Sequence, residues 1–186
     1  MAAVKKQPLL LRGLDHLEEL VILCLMGAAT LVTFAAVAHR YACGIPSLQP
    51  YLLGVNLGWA QELCIYMFVW MAKFGAAYGV RTGVHVGVDL LVNRLPPRLR
   101  RTIVTLGLCG GALFTGVVGT LGAKFVWELS RTDSTSPDLE VPVWIVYLAV
   151  PLGSYLMCFR FLQVIASFWR TGELPHHDAA RVEGLP

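Results

Sequence analysis

The sequence predicts an all-α integral membrane protein with four transmembrane helices and an interfacial amphipathic helix between spans two and three. Three observations lead there. Apolar residues make up 56% of the 186 residues, above the roughly 45–50% of ordinary globular domains. Four apolar runs each approach or exceed the roughly 20 residues needed to cross a hydrocarbon core of about 30 Å. Between the second and third runs lies a basic, amphipathic connector. Lipid offers the backbone no hydrogen-bond partners, so the runs must be helical. The period-2 alternation of a membrane barrel is absent. The expected organisation is one membrane domain over residues 1–186, with no stretch long enough to build a separate soluble core.

Residues Pro8 to Glu19 form a lead-in. Leu10, Leu14 and Leu17 share one helical face, and Arg12, Asp15 and Glu19 lie elsewhere. Two readings stay open: a helix lying on the inner membrane surface, or an extension of the first span. The first span is expected at 20–38 and carries no charge. Lys5, Lys6 and Arg12 before it, and Ala36-Val37-Ala38 near its end, imitate a cleavable signal. The run is too long for one, and Asp15, Glu18 and Glu19 interrupt the basic region, so the segment is read as a retained span.

The second span is expected at 59–79, with Glu62 near its start and Lys73 inside it. A carboxylate suits a helix N-terminus; the other reading of Glu62 is a contact to a partner. An intramembrane charge is a functional hypothesis by default. For Lys73 the readings are snorkelling to the interface, a structural pair, or a transport role. The connector helix is expected at about 80–95. Val84, Val88, Leu91, Leu95 and Leu99 recur on one side, and Arg81, His85, Asp89 and Asn93 on another. Pro96-Pro97 should stop it near Leu95. A relay through Arg81, His85 and Asp89 is conceivable, but a polar stripe at a membrane surface also reads as a solvated face.

Spans three and four are expected at 102–123 and 141–159, followed by a tail over 160–186. Gly75, Gly79, Gly83 and Gly87 recur every four residues, as do Gly107, Gly111, Thr115 and Gly119. Such small-residue stripes allow close helix approach. They read either as packing within the chain or as a docking face for another membrane subunit.

Orientation follows from basic residues. Of fifteen Lys and Arg, eleven lie in the N-terminal tail, the central connector and the C-terminal tail. Arg40, Lys124 and Arg131 lie in the other loops. The bias places both termini and the connector in the cytoplasm. Trp59, Trp127 and Trp144 fall at the expected outer boundary as interfacial anchors. The five cysteines, Cys24, Cys43, Cys64, Cys109 and Cys158, have no metal-type spacing and read as free thiols. There is no nucleophile elbow, phosphate loop or zinc motif, and no mid-span histidine to hold haem. No catalytic, cofactor-binding or metal-binding residue is assigned, and no nucleic-acid partner is expected.

Several of these residues also match a family pattern. The segment from Trp59 to Leu63, with FVWMAKFGAAYGVRTGVHVGVDLLVNRLPPRLRR from Phe68, closely resembles the small permease subunit of tripartite ATP-independent periplasmic (TRAP) transporters, the DctQ family. The matching pieces are Trp59 and Glu62, Gly75-Ala76-Ala77, Arg81, Gly83, His85, Val86, Val88, Asp89, Leu95 and Pro96. His39-Arg40-Tyr41 is similar to the end of the family's first span. Leu139 to Trp144, with Pro151-Leu152-Gly153, is similar to the start of its fourth. The likeness covers roughly residues 15–170. Two departures are a longer Tyr41–Trp59 loop and Lys73, which stands where the family has an apolar residue.

The resemblance implies a bacterial inner-membrane subunit that pairs with a large multi-spanning permease. It also implies a periplasmic binding protein that delivers an organic acid, usually a carboxylate. Import would be driven by a sodium gradient without ATP. The small subunit would serve as a scaffold and not as an enzyme. Taken together with the charge and small-residue patterns above, Trp59, Glu62, Lys73, Gly75, Gly79, Arg81, Gly83, His85, Gly87 and Asp89 are the expected partner-interface or structural positions. Two readings from other classes are a membrane anchor of a redox complex and an enzyme acting on lipid headgroups through Asp133, Asp138 and Glu140.

Overall fold

A computed structural model describes residues 9–52, 54–83 and 96–171. Helix α1 spans Leu9–Ala42, α2 Gln49–Leu52, α3 Gly58–Thr82, α4 Pro97–Leu129, α5 Val143–Tyr147 and α6 Ala149–Thr171. Four stretches are long and apolar enough to cross a membrane: Gly13–Ala42, Gly58–Thr82, Leu99–Leu129 and Val143–Thr171. No strand occurs among the described residues, only an isolated bridge between Thr135 and Pro142.

The helices run further than the apolar runs alone suggest. The lead-in is not a separate surface helix but the first part of α1, whose 34 residues extend over about 51 Å. Pro97 sits at the first turn of α4, after an extended Pro96. Its missing N–H costs nothing there, so the helix starts at Pro97 and not near Thr102. The fourth span runs through α5 and α6 with an irregularity at Leu148. Pro151 supplies no N–H for the Tyr147 carbonyl, while Leu148 and Leu152 still donate to Trp144 O and Leu148 O at 3.1 and 3.2 Å. Residues 160–171, expected as tail, continue α6.

The glycine stripe of the second span ends at Gly83. That residue adopts φ 72° and donates its N–H to Gly79 O, closing α3. A left-handed residue at this position is the usual helix stop, and glycine takes it without a Cβ penalty. Val80, Arg81 and Thr82 therefore belong to α3, and the stripe does not continue along one straight helix. The rest of the expected connector helix, including His85, Gly87 and Asp89, lies outside the described residues.

The packing is a row. Helix α1 packs on α3, α3 on α6, and α6 on α4; α1 and α4 share no comparable contact. Only 6% of the most apolar stretch of the first span is buried, against 33% in the fourth, so most of the first span faces outward. The densest seam lies between α4 and α6, where Ala112, Phe161 and Val164 form a core that Val80 of α3 joins and that Val104 and Phe168 continue.

Glycines on α4 divide into two sets. A Cβ at Gly111 would meet the Phe161 ring at 2.7 Å, and one at Gly119 the Tyr155 ring at 3.0 Å. Both are internal packing positions, as is buried Thr115. Gly107 has nothing within 4 Å, and neither have Gly75 and Gly79 on α3. The α4 stripe is thus mostly consumed within the chain, and the α3 stripe is not.

Gly111→Leu is expected to lower the stability of the detergent-solubilised chain by about 1–3 kcal/mol through overpacking against Phe161. Gly107→Leu should leave it unchanged. Thermal unfolding followed by size-exclusion fluorescence checks this; equal shifts for the two variants would contradict the close α4–α6 seam.

Candidate functional site

The polar side chains gather at two levels of the row. On α3 they are marked by Glu62 and Arg81, nineteen positions apart, or about 29 Å at the helical rise. That matches the thickness of a hydrocarbon core, so both clusters stand at its boundaries.

The level nearer the chain termini is an ion-pair network that joins three helices. Arg160, fully buried on α6, donates from Nε and Nη2 to the two carboxylate oxygens of Glu18 at 3.0 and 2.7 Å. The same Nη2 reaches Asp15 Oδ1 at 2.7 Å, and Nη1 donates to Gln163 Oε1 at 2.9 Å. Glu18 is fully buried as well. Arg81 on α3 completes the network: Nη1 to Asp15 Oδ1 at 2.8 Å, and Nη2 to Glu19 Oε1 at 2.6 Å. Its guanidinium also lies 4.7 Å from the centre of the Tyr78 ring, within cation–π range.

Asp15 therefore bridges two guanidinium groups. The side-on pairing of Arg160 with Glu18 is the two-pronged geometry that makes arginine–carboxylate bonds strong and directional. Three carboxylates face two guanidinium groups. Each helix supplies its charge at the same depth: α1 near its start, α3 near its end and α6 at mid-length. Burying such charges is expensive, and removal of one partner leaves the other uncompensated.

At the opposite level Glu62 holds a loop. Its Oε2 accepts the backbone N–H groups of Asp138 and Leu139, both at 2.9 Å. Its Oε1 accepts from the Tyr66 hydroxyl one turn further along α3. The loop is closed on itself by Ser136 N–H to Val141 O at 2.9 Å and Val143 N–H to Ser134 O at 3.1 Å. Glu140 adopts φ 53°, a left-handed conformation that a non-glycine residue holds only when its surroundings fix it.

The expected site residues separate accordingly. Glu62 is neither a bare helix-start charge nor an exposed contact, but a buried anchor for the loop before α5. Arg81 does not rest in a solvated stripe; it pairs with Asp15 and Glu19. Lys73 is half-buried and backs onto α6: a Cβ at Gly153 would stand 2.5 Å from Lys73 Cβ. No carboxylate of the described residues pairs with it. Trp59 is partly exposed at the start of α3. Gly75 and Gly79 face open space, and Gly83 is the α3 cap. His85, Gly87 and Asp89 lie outside the described residues.

Asp15, Glu18, Glu19, Arg160 and Gln163 were not among the expected site residues. Their signal was present: three acids just before the first apolar run and one arginine just after the fourth, which an even number of spans brings to one side. Reading Arg160 as a tail charge hid it. Among the described residues no group of three His, Cys, Asp or Glu is arranged to hold a metal ion. All five cysteines are free.

A membrane row with internally paired charges is a structural part awaiting a context, and comparison with known proteins supplies it. Residues 29–171 match the family model described as "Tripartite ATP-independent periplasmic transporters, DctQ component". The chain belongs to this family. A C4-dicarboxylate TRAP transporter small permease protein DctQ of Rhodobacter capsulatus is 54% identical over 95% of this chain and 86% of its own. Its namesake from Vibrio cholerae is 34% identical over 81% and 70%. An isethionate TRAP transporter permease protein, DctMQ, of Oleidesulfovibrio alaskensis is 27% identical over 58% of this chain but only 17% of its own length.

Membership of the DctQ family agrees with the sequence resemblance and makes the chain a transporter component, not an enzyme. It replaces the redox-anchor and headgroup-enzyme readings. Asp138, one of the three acids in the latter, instead lends its backbone N–H to Glu62.

Arg160→Ala is expected to cost about 3–5 kcal/mol, because Glu18 would stay buried with only the more distant Arg81 Nη1, at 3.8 Å, to offset its charge. Replacing the pair by Arg160→Met with Glu18→Leu should recover most of that loss. Thermal unfolding of the three detergent-solubilised chains tests both. An Arg160→Ala chain as stable as the unaltered one would rule out the network as the tie between α1 and α6.

Proposed function

We propose that this chain is the small scaffold subunit of a TRAP-type secondary transporter that imports a C4-dicarboxylate with a sodium gradient. It would pair with a large multi-spanning membrane subunit, and a periplasmic binding protein would deliver the substrate to the assembled pair. The observation that carries this is the 54% identity to a protein named as a C4-dicarboxylate TRAP small permease, over nearly the whole of both chains. The DctMQ relative adds support for the pairing: a segment like this one makes up a small part of a much longer permease polypeptide, as two neighbouring subunits joined in one chain would.

Residues 1–186 act in this reading as one membrane domain in the bacterial inner membrane, both termini in the cytoplasm. The basic residues of tails and connector favour that orientation, although Arg81 and Arg160 among them are spent on ion pairs. The chain's own polar groups are turned inward on one another, which suits a scaffold that leaves substrate and sodium to its partner. A side chain at Gly75 or Gly79 of α3 would meet nothing within 4 Å among the described residues, and this is the docking face we assign to the large subunit. Lys73, on the same helix, backs onto α6 and is assigned a structural role.

Two outcomes are expected. Affinity purification of the tagged chain from native membranes should bring down a large multi-spanning partner in about equal amount, the stoichiometry of two subunits held by one interface. The purified pair, reconstituted with its binding protein, should accumulate labelled succinate only when a sodium gradient is imposed. Recovery of the chain alone, or uptake indifferent to sodium, would count against the corresponding part. Gly79→Leu should reduce co-purification of the partner while leaving the chain's own unfolding temperature in place.

A further inference from the structure

A cavity of about 630 Å³ lies between α1 and α3 at the end of the row away from the chain termini. The size is that of a typical ligand pocket. Its walls are chiefly apolar, with Ala36 and Val37 from α1, Leu57 from the loop, and Ile65 and Phe68 from α3. The deeper polar groups are already paired: Thr33 Oγ1 donates to Ala29 O at 2.8 Å and meets Cys64 Sγ at 3.2 Å. At the mouth, His39 Nε2 meets Leu52 O at 3.2 Å and so ties down the loop before α3.

Arg40, Asn56 and Gln61 complete the mouth. No acidic residue lines the cavity, and among the described residues Arg40 has no carboxylate partner. From Gly58 at the mouth to Phe68 at the floor is ten positions, or about 15 Å. Half of a hydrocarbon core of about 30 Å is the same depth. The groove therefore spans one leaflet, open to a charged headgroup at the boundary and to hydrocarbon below it.

We propose that this groove is a binding site for one phospholipid, with an acyl chain between α1 and α3 and its headgroup phosphate on Arg40, flanked by Asn56 and Gln61. The chemistry selects this occupant over two others. A small dicarboxylate has no use for the apolar floor. A protein segment would have to bring its own carboxylate to Arg40 and lie along a groove one leaflet deep between two helices. The site follows from the membrane-spanning fold and stands or falls independently of the transported substrate. A lipid here would fill the groove between α1 and α3.

The test uses the chain in its native membrane, with Phe68→p-benzoylphenylalanine irradiated before extraction and the adduct identified by mass spectrometry. A phospholipid adduct is expected; a peptide of another protein on the probe, or no adduct, would overturn the proposal. Native mass spectrometry of the extracted complex gives a second reading. One retained phospholipid is expected on the unaltered chain, falling about fivefold in Arg40→Gln, the effect of one basic side chain at an anionic headgroup. Ala36→Trp, which fills the groove, should abolish retention, and Arg40→Lys should keep most of it. Retention equal in all four chains, or lost as fully in Arg40→Lys as in Arg40→Gln, would refute the assignment.

Discussion

The pairing of Arg160 with Glu18 is the constraint on which the rest of the row depends. Both side chains are fully buried, and they come from the first and last spans, 142 positions apart in sequence. In a bilayer there is no hydrophobic gain from pressing one apolar helix on another, because lipid tails are as apolar as leucine. An ionised group without a partner, by contrast, is costly at membrane depth. The network thus supplies what apolar packing cannot: a reason for α1, α3 and α6 to adopt one relative depth and one rotation. Asp15, shared by Arg81 and Arg160, makes α3 part of the same decision.

The two ends of the row are held by different means. Near the termini the ties are ionic and join three helices. At the other end Glu62 gathers backbone N–H groups of a loop, so a single carboxylate sets how the chain turns from α4 into α5. Between these levels the contacts are mostly close approaches of small residues to rings, Gly111 on Phe161 and Gly119 on Tyr155. Gly153 beneath Lys73 is the same device on the α3–α6 side. A row of this type needs small residues on one partner at every seam, since only then do long side chains of the other fit between neighbouring backbones.

Four spans and their order were legible because they rest on local properties, run length and charge. Helix ends were less legible. Arg160 closed the fourth apolar run in the sequence, yet α6 continues to Thr171, because a charge paired inside the protein does not end a helix; Arg81 stands one residue before the end of α3. The glycine stripes showed the same limit. Spacing identified Gly75, Gly79, Gly111 and Gly119 as sites of close approach, but only the folded arrangement separates those that meet a ring from those that meet nothing among the described residues. Glu62 was found by its position at a helix start, while the source of its N–H donors, a loop seventy-six positions later, carries no local signal at all.

The unequal burial of the spans connects these points to function. With 6% of its apolar window buried, α1 is held chiefly by its charges and by one flank on α3, whereas α6, at 33%, is wedged between two neighbours. A row in which the outer helices keep most of their surface has two broad faces to offer lipid or another subunit. A closed bundle of the same four helices would have spent that surface on itself. Glu18 and Arg160 are withdrawn from those faces by their pairing, so a partner approaching them need not desolvate these two charges. Under the proposed function that is the property a scaffold requires: its position is fixed by interactions it makes with itself, and its surface is left for the subunit it supports.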